Sequence, residues 1–232
     1  MGYDFAANPQ ATLLNPMQAA ANTFLLVFAG LFPIVNPVGG APIFLALTHR
    51  DSEEIRRGLA RRVAVNGFVL LLGSLFVGSH VLVFFGITLP VVRIAGGLAV
   101  ASFAWRLLRD GAAAADDRNE AHQCKSVDAF YPLTMPLTVG PGSIAVAIAL
   151  GAQRPQEVTG LFDVALLAAA ACVGLAAIAL TIFICYRFAG RMVAMLGESG
   201  INVMIRLSAF ILLCIGIQII WSGYAALMHL PH

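Results

Sequence analysis

The chain has 232 residues, of which 59% are hydrophobic and 11% charged, with a net charge of +2 and a mean hydropathy of +0.86. A soluble domain carries about 45–50% apolar and about 25% charged residues, so a soluble globular enzyme and a disordered chain are both excluded. The small net charge gives no basis for nucleic-acid binding.

The N-terminal stretch Met1–Asn22 contains no Lys or Arg. It lacks the basic start of a secretory signal and is expected to be retained. Beyond it, six stretches are apolar enough to span a bilayer, which takes about 20 residues each. They run over 20–47, 63–86, 88–108, 129–151, 164–186 and 203–227, and charged segments fill most of the gaps. The predicted architecture is an all-α, polytopic membrane protein. It forms a single transmembrane domain over 1–232, with repeat one over about 20–108, a cytoplasmic linker over about 109–128 and repeat two over about 129–227.

The first span is 28 residues long, about 42 Å as a straight helix, against a hydrocarbon core of about 30 Å. Its middle holds Pro33, Pro37 and Pro42 with Gly39 and Gly40. Internal prolines remove helical hydrogen bonds, and Pro37 pushes Asn36 away from helical dihedrals. An unwound break or re-entrant turn between two half-helices is expected. The second span carries Asn66, whose main expected role is interhelical hydrogen bonding. A cavity-lining role for it stays open. His80, near the outer end of this span, reads as an interface residue.

The third span opens on Arg93-Ile94-Ala95-Gly96 and the sixth on Arg206-Leu207-Ser208-Ala209. Arginines at helix ends commonly snorkel to the interface; a gating or substrate role is the alternative for Arg93 and Arg206. The fourth span repeats the pattern of the first, with Pro132, Pro136, Pro141, Gly140 and Gly142. Pro37 falls on Pro141 with a shift of 104 residues, which sets Asn36 opposite Gly140. Each break begins a block of three spans, an odd number, so the second block crosses in the opposite sense: two inverted three-helix repeats, with the first and fourth helices broken.

Basic residues fix the expected orientation. With the N-terminus outside, 12 of the 14 fall on the cytoplasmic side, leaving only Arg93 and Arg154 outside. That asymmetry predicts N-out, C-out. Trp105, Tyr131 and Tyr186 are expected near the inner interface, Trp221 and Tyr224 near the outer one. Cys172, Cys185 and Cys214 lie in apolar runs and Cys124 in a loop, with no CxxC pair, so neither a metal site nor a disulfide framework is expected.

Irregular backbone at membrane depth survives where it is buried in protein or lines a wet cavity. There, a half-helix N-terminus offers donors to an anion, and freed carbonyls serve a cation or ammonium. A zwitterion needs both. The candidate substrate-binding residues are Asn36, Pro37, Gly39, Gly40, Thr134, Thr138, Gly140, Pro141, Gly142 and Ser143, with Asn66 behind them. One isolated proline kink would be explained by packing; two matched runs point to a substrate path. There is no HExxH, no GxSxG and no paired mid-span carboxylate, so no catalytic residue is assigned. No mid-span Asp or Glu offers a proton relay. No cofactor is expected; sodium or proton coupling, or a facilitator with no coupling ion, all remain open, as does homo-oligomerisation.

At Asn36-Pro37-Val38-Gly39 with Pro42-Ile43-Phe44-Leu45 and Thr48, at Pro136–Gly142 (P-L-T-V-G-P-G), and at Arg93–Gly97, the chain resembles the MarC family of bacterial inner-membrane proteins, also called the neutral amino acid transporter family. The likeness covers nearly the whole chain. It implies six spans in two inverted halves, a relation to the amino-acid exporters of the LysE superfamily, and placement in the bacterial inner membrane. It makes small neutral amino acids such as glycine and alanine the leading substrates. Export of other small solutes, or a channel or facilitator, is the alternative.

Overall fold

The computed structural model describes residues 16–110, 128–152 and 160–228. The expected linker, apart from its ends, lies outside them. Among the described residues the regular elements are all helical. In chain order they are α1 (Pro16–Val35), α2 (Pro37–Leu47), α3 (Glu53–Phe84), α4 (Leu89–Asp110), a π-helical turn (Leu133–Thr138), α5 (Pro141–Gly151), α6 (Leu161–Arg187) and α7 (Ala189–Met228).

Among the described residues, five helical stretches are long and apolar enough to cross a membrane: Pro16–Leu47, Glu53–Phe84, Leu89–Arg109, Leu161–Arg187 and Ser199–Met228. The expected fourth span is not a continuous helix. It joins the six-residue π turn to α5, which at 11 residues is about 16 Å long, roughly half a hydrocarbon core. Pro132 and Pro136 are the reason. Each lacks the N–H that an α-helix would need, and Met135, held before Pro136, is extended (φ −118°, ψ 122°).

Two helices begin earlier than hydropathy indicates. The charged segment before the second span is helical from Glu53, because Ser52 caps the Ile55 N–H (3.4 Å) and Glu53 and Glu54 face the positive end of the helix dipole. The segment between the last two spans is likewise helical from Ala189. It breaks at Gly197, whose left-handed φ of 64° suits a residue without Cβ.

The two sequence blocks interleave. The extensive helix contacts run between α1–α4 and the elements from the π turn to α7. Among them, α1 packs on α6, α3 on α5 and α6, and α4 on α5 and α7. The α4–α7 contact is the largest and is made by glycines. A Cβ on Gly216 would sit 2.8 Å from the Ala101 nitrogen, and one on Gly97 would sit 2.8 Å from the Gly216 carbonyl. In lipid, where apolar surface gains nothing by leaving the solvent, such close backbone approach supplies the packing energy.

The core runs through Leu31, Phe44, Leu71, Leu133, Leu175, Ile178, Ile182 and Ile205, all fully buried. Exposed apolar side chains such as Leu25, Val69, Val173, Leu180, Phe210 and Trp221 coat the outside. That surface suits a bilayer and would be an aggregation hazard in water. The C-terminus of α2, the N-terminus of α3, the C-terminus of α6 and the N-terminus of α7 share one end through short connections and the Phe44–Tyr186 contact. That end carries Arg50, Arg56, Arg57, Arg187 and Arg191 and is called the basic end below.

Candidate functional site

Break one is one residue wide. Asn36 is the only non-glycine among the described residues with positive φ (φ 46°, ψ 58°), a conformation that asparagine tolerates better than most side chains. Its N–H donates to the Phe32 carbonyl (2.9 Å), and its own carbonyl accepts from Gly40 N (2.9 Å). Its Oδ1 caps α2 by accepting from Gly39 N (3.1 Å). Helical bonding therefore nearly passes through the break. This corrects the expectation of an unwound segment: Pro33 and Pro42 lie inside helices, and Pro37 alone interrupts the run, at a first helical position where its missing N–H is tolerated.

Break two is wider. Met135 N donates to the Phe130 carbonyl (2.9 Å) and Val139 N to the Thr134 carbonyl (2.8 Å), both across five residues. Two threonine hydroxyls close the same spacing, Thr134 Oγ1 to the Ala129 carbonyl (2.6 Å) and Thr138 Oγ1 to the Leu133 carbonyl (2.7 Å). Val139 and Gly140 are extended, and α5 starts at Pro141. No side chain caps α5, and Ser143 Oγ donates back to the Gly140 carbonyl (2.9 Å). The N–H groups of Gly142 and Ser143, in the first turn, have no intrahelical acceptor.

The two breaks match in register. Pro37 and Pro141 each open an 11-residue helix, with Asn36 and Gly140 at the equivalent cap positions. Both prolines lack an N–H, so the carbonyls four residues earlier, Pro33 and Leu137, lose their helical donor. Freed acceptors before a helix start thus occur twice, by the same cause, while the donors differ: Gly39 N is capped by Asn36, and no side chain caps α5.

The candidate residues fall into distinct roles. Pro37, Gly39, Gly40, Thr134, Thr138, Gly142 and Ser143 are buried, Asn36, Gly140 and Asn66 half-buried, and Pro141 exposed. Gly142 packs against Val100 of α4, leaving no room for a Cβ. Gly39 lies under the Asn36 side chain. Asn66 Nδ2 reaches Thr134 Oγ1 at 3.5 Å and so ties α3 to break two. A hydroxyl has one proton, and those of Thr134, Thr138 and Ser143 all go to nearby backbone carbonyls. In this state the three hydroxyls can only accept further bonds. The Asn36 amide nitrogen, by contrast, retains donors.

Sequence reasoning missed Tyr186. It was expected as an interface ring, but it is fully buried. Its ring stacks on Phe44 (centroids 4.5 Å apart), and its hydroxyl lies 2.8 Å from Thr138 Oγ1. A Cβ on Gly40 would come within 2.7 Å of that hydroxyl. Adjacency to Arg187 mimics a headgroup-level aromatic, and the sequence signal that could have corrected this is Gly40, a glycine inside α2 that calls for a close neighbour. Arg93 is half-buried on α4, with its Cβ close to Gly223 of α7; Arg206 is exposed. Among the described residues no cluster of three or more His, Cys, Asp or Glu could hold a metal ion.

The chain is similar in sequence to known membrane proteins. The family model described as "MarC family integral membrane protein" matches residues 21–228. The chain is 32% identical over 200 residues to the UPF0056 membrane protein YhcE of Escherichia coli K12, covering 84% of this chain and 89% of that one. It is 31% identical over 209 residues to the UPF0056 inner membrane protein MarC of Escherichia coli SMS-3-5, covering 87% and 94%. A UPF0056 membrane protein of Archaeoglobus fulgidus is 29% identical over 204 residues, covering 87% and 92%. No solved structure matches. With its apolar crossing helices and matches along nearly the full length, the chain is a multi-pass inner-membrane protein and belongs to the MarC family.

Proposed function

We propose that the chain is a secondary transporter of small neutral amino acids, working by alternating access around the two breaks. The observation that carries this reading is the register match: Pro37 and Pro141 open half-helices of equal length inside two interleaved blocks. Inverted halves with discontinuous helices at their interface are a recurrent transporter design. In this reading the orientation is N-out, C-out, and the chain is one transmembrane domain.

The chemistry suits a zwitterion. The first-turn N–H groups of Gly142 and Ser143, at the positive end of α5, attract a carboxylate. The Pro33 and Leu137 carbonyls and the acceptor lone pairs of Thr134 and Thr138 suit an ammonium group. Asn36 adds an amide donor at the other break. Close-packed glycines and buried threonines favour a small side chain such as that of glycine or alanine. A coupling sodium ion is compatible with the freed carbonyls, and the reading assigns no catalytic chemistry.

Flux of labelled alanine and glycine into proteoliposomes tests it. The wild-type chain is expected to show saturable flux that the Asn36→Leu/Gly140→Leu variant lacks. Equal flux in the two preparations defeats the reading, and a linear dependence on concentration replaces the carrier with a channel.

A further inference from the structure

Tyr186 touches both breaks. Its ring lies on Phe44 and its hydroxyl beside Gly40, both in the half-helix that follows break one. The same hydroxyl meets Thr138, in the turn that precedes break two. The Thr138 proton is held by the Leu133 carbonyl, so Tyr186 is the donor in this pair. The bond is buried, where an unpaired hydroxyl is costly.

This pair has no counterpart at the opposite end. The shift of 104 residues that superposes the prolines carries Thr138 to Ile34 and Tyr186 to Leu82, and neither residue can hydrogen bond through its side chain. The equivalent contact between α3 and α5 is apolar and close, with Gly78 against Ile148 and Gly151 against the Leu75 backbone. The halves match in register but differ in how each end is fastened. A polar fastening can be replaced by water or a polar ligand; an apolar one has no such partner.

We propose that Tyr186 is the gate residue of the basic end. Its bond to Thr138 and its stack on Phe44 hold the two breaks together on that side, and opening toward that side requires the bond to be released. Released, Thr138 still offers only an acceptor, so the group that takes the tyrosine's place must be a donor, water or an ammonium. The inference rests on the alternating-access reading above, but its test needs no substrate, so failed amino-acid flux leaves it standing.

The test uses the full chain with Cys124, Cys172, Cys185 and Cys214 replaced by alanine and a reporter Ser143→Cys, a buried position in the first turn of α5, beside break two. A membrane-impermeant maleimide is applied to either side of sealed vesicles. Tyr186→Phe, which keeps the ring on Phe44, is expected to raise labelling from the basic end about three- to tenfold, the population shift expected for one lost hydrogen bond. Labelling from the opposite end stays level or falls. Thr138→Val, which removes the same bond from the other partner and also frees the Leu133 carbonyl, gives a one-sided rise at least as large, and adding Tyr186→Phe to it raises labelling less than about twofold further, because the shared bond is already gone. An unchanged rate in both variants, or an equal rise from both ends, overturns the proposal. If Tyr186→Phe does not reach the membrane folded, Thr138→Val decides the question alone.

Discussion

Asn36 and Gly140 occupy the same cap position before Pro37 and Pro141, yet they start their helices in different ways. Asn36 is left-handed and caps α2 with its own side chain. Gly140 is extended (φ −99°, ψ 176°) and provides no side-chain cap. The Asn36 side chain thus satisfies one first-turn donor of the first half-helix, whereas no side chain caps the second, and the proposed transport reading therefore assigns the substrate carboxylate to α5.

That difference gives a ranked prediction at Asn36. Asn36→Gly keeps the positive φ at no steric cost and loses only the cap, a few tenths of a kcal/mol. Asn36→Ala loses the cap and forces a Cβ into the left-handed region, a combined cost of about 2–3 kcal/mol. Thermal unfolding in detergent is expected to leave the glycine variant close to wild type and to lower the alanine variant clearly. The reverse order would show that the kink is not held by Asn36.

The α4–α7 seam is predicted to be intolerant of added volume. Gly216→Val places side-chain atoms against the Ala101 backbone, which cannot rotate away as a side chain could. A loss of about 1–3 kcal/mol or more follows. Gly73→Ala is the control: nothing lies within 4 Å of its added Cβ, and replacing a mid-helix glycine stabilises by up to about 1 kcal/mol. Melting temperatures of the two variants should move in opposite directions.

Asn66 and Thr134 form a pair suited to a double-mutant cycle. Asn66→Leu is expected to cost roughly 0.6 kcal/mol, a common worth for a side-chain bond between membrane helices. Thr134→Val should cost more, because it also releases the Ala129 carbonyl. In the Thr134→Val background, Asn66→Leu should cost nothing further. Full additivity of the two losses would mean that the 3.5 Å contact carries no energy.

Orientation can be tested without function. A cysteine at Ile87, exposed in the α3–α4 connection, is expected to react from outside the cell, and one at Arg57 from the cytoplasmic side. Reaction of both from the same side would contradict a single crossing by α3.

Much of this was legible in the sequence because prolines and hydropathy act locally. A missing N–H interrupts a helix wherever it falls, so Pro37 and Pro141 marked both breaks. Their widths were less legible. Pro33 and Pro42 are absorbed into helices, whereas Pro132 and Pro136, four residues apart and flanked by threonines that can bond backbone, produce a π turn. The start of α3 was written in Ser52-Glu53-Glu54, a capping signal that a hydropathy reading passes over because these residues lie outside the apolar stretch. Tyr186 could not be placed, because its environment is built from Phe44, Gly40 and Thr138, residues far away in the sequence.

The interleaving of the two blocks bears on how the protein is made. The first four helices make few contacts with one another, so when they leave the insertion machinery their glycine-lined faces meet lipid. Gly97 on α4 waits for Gly216, and Val27 on α1 for Gly174, both of which are synthesised later. The packing partners of α1, α3 and α4 are therefore supplied only by the second block, α5 and α6 first and α7 last. A chain arrested before residue 189 keeps the α5 contact of α4 but lacks the larger one with α7, which leaves the Gly97 face of α4 open to lipid.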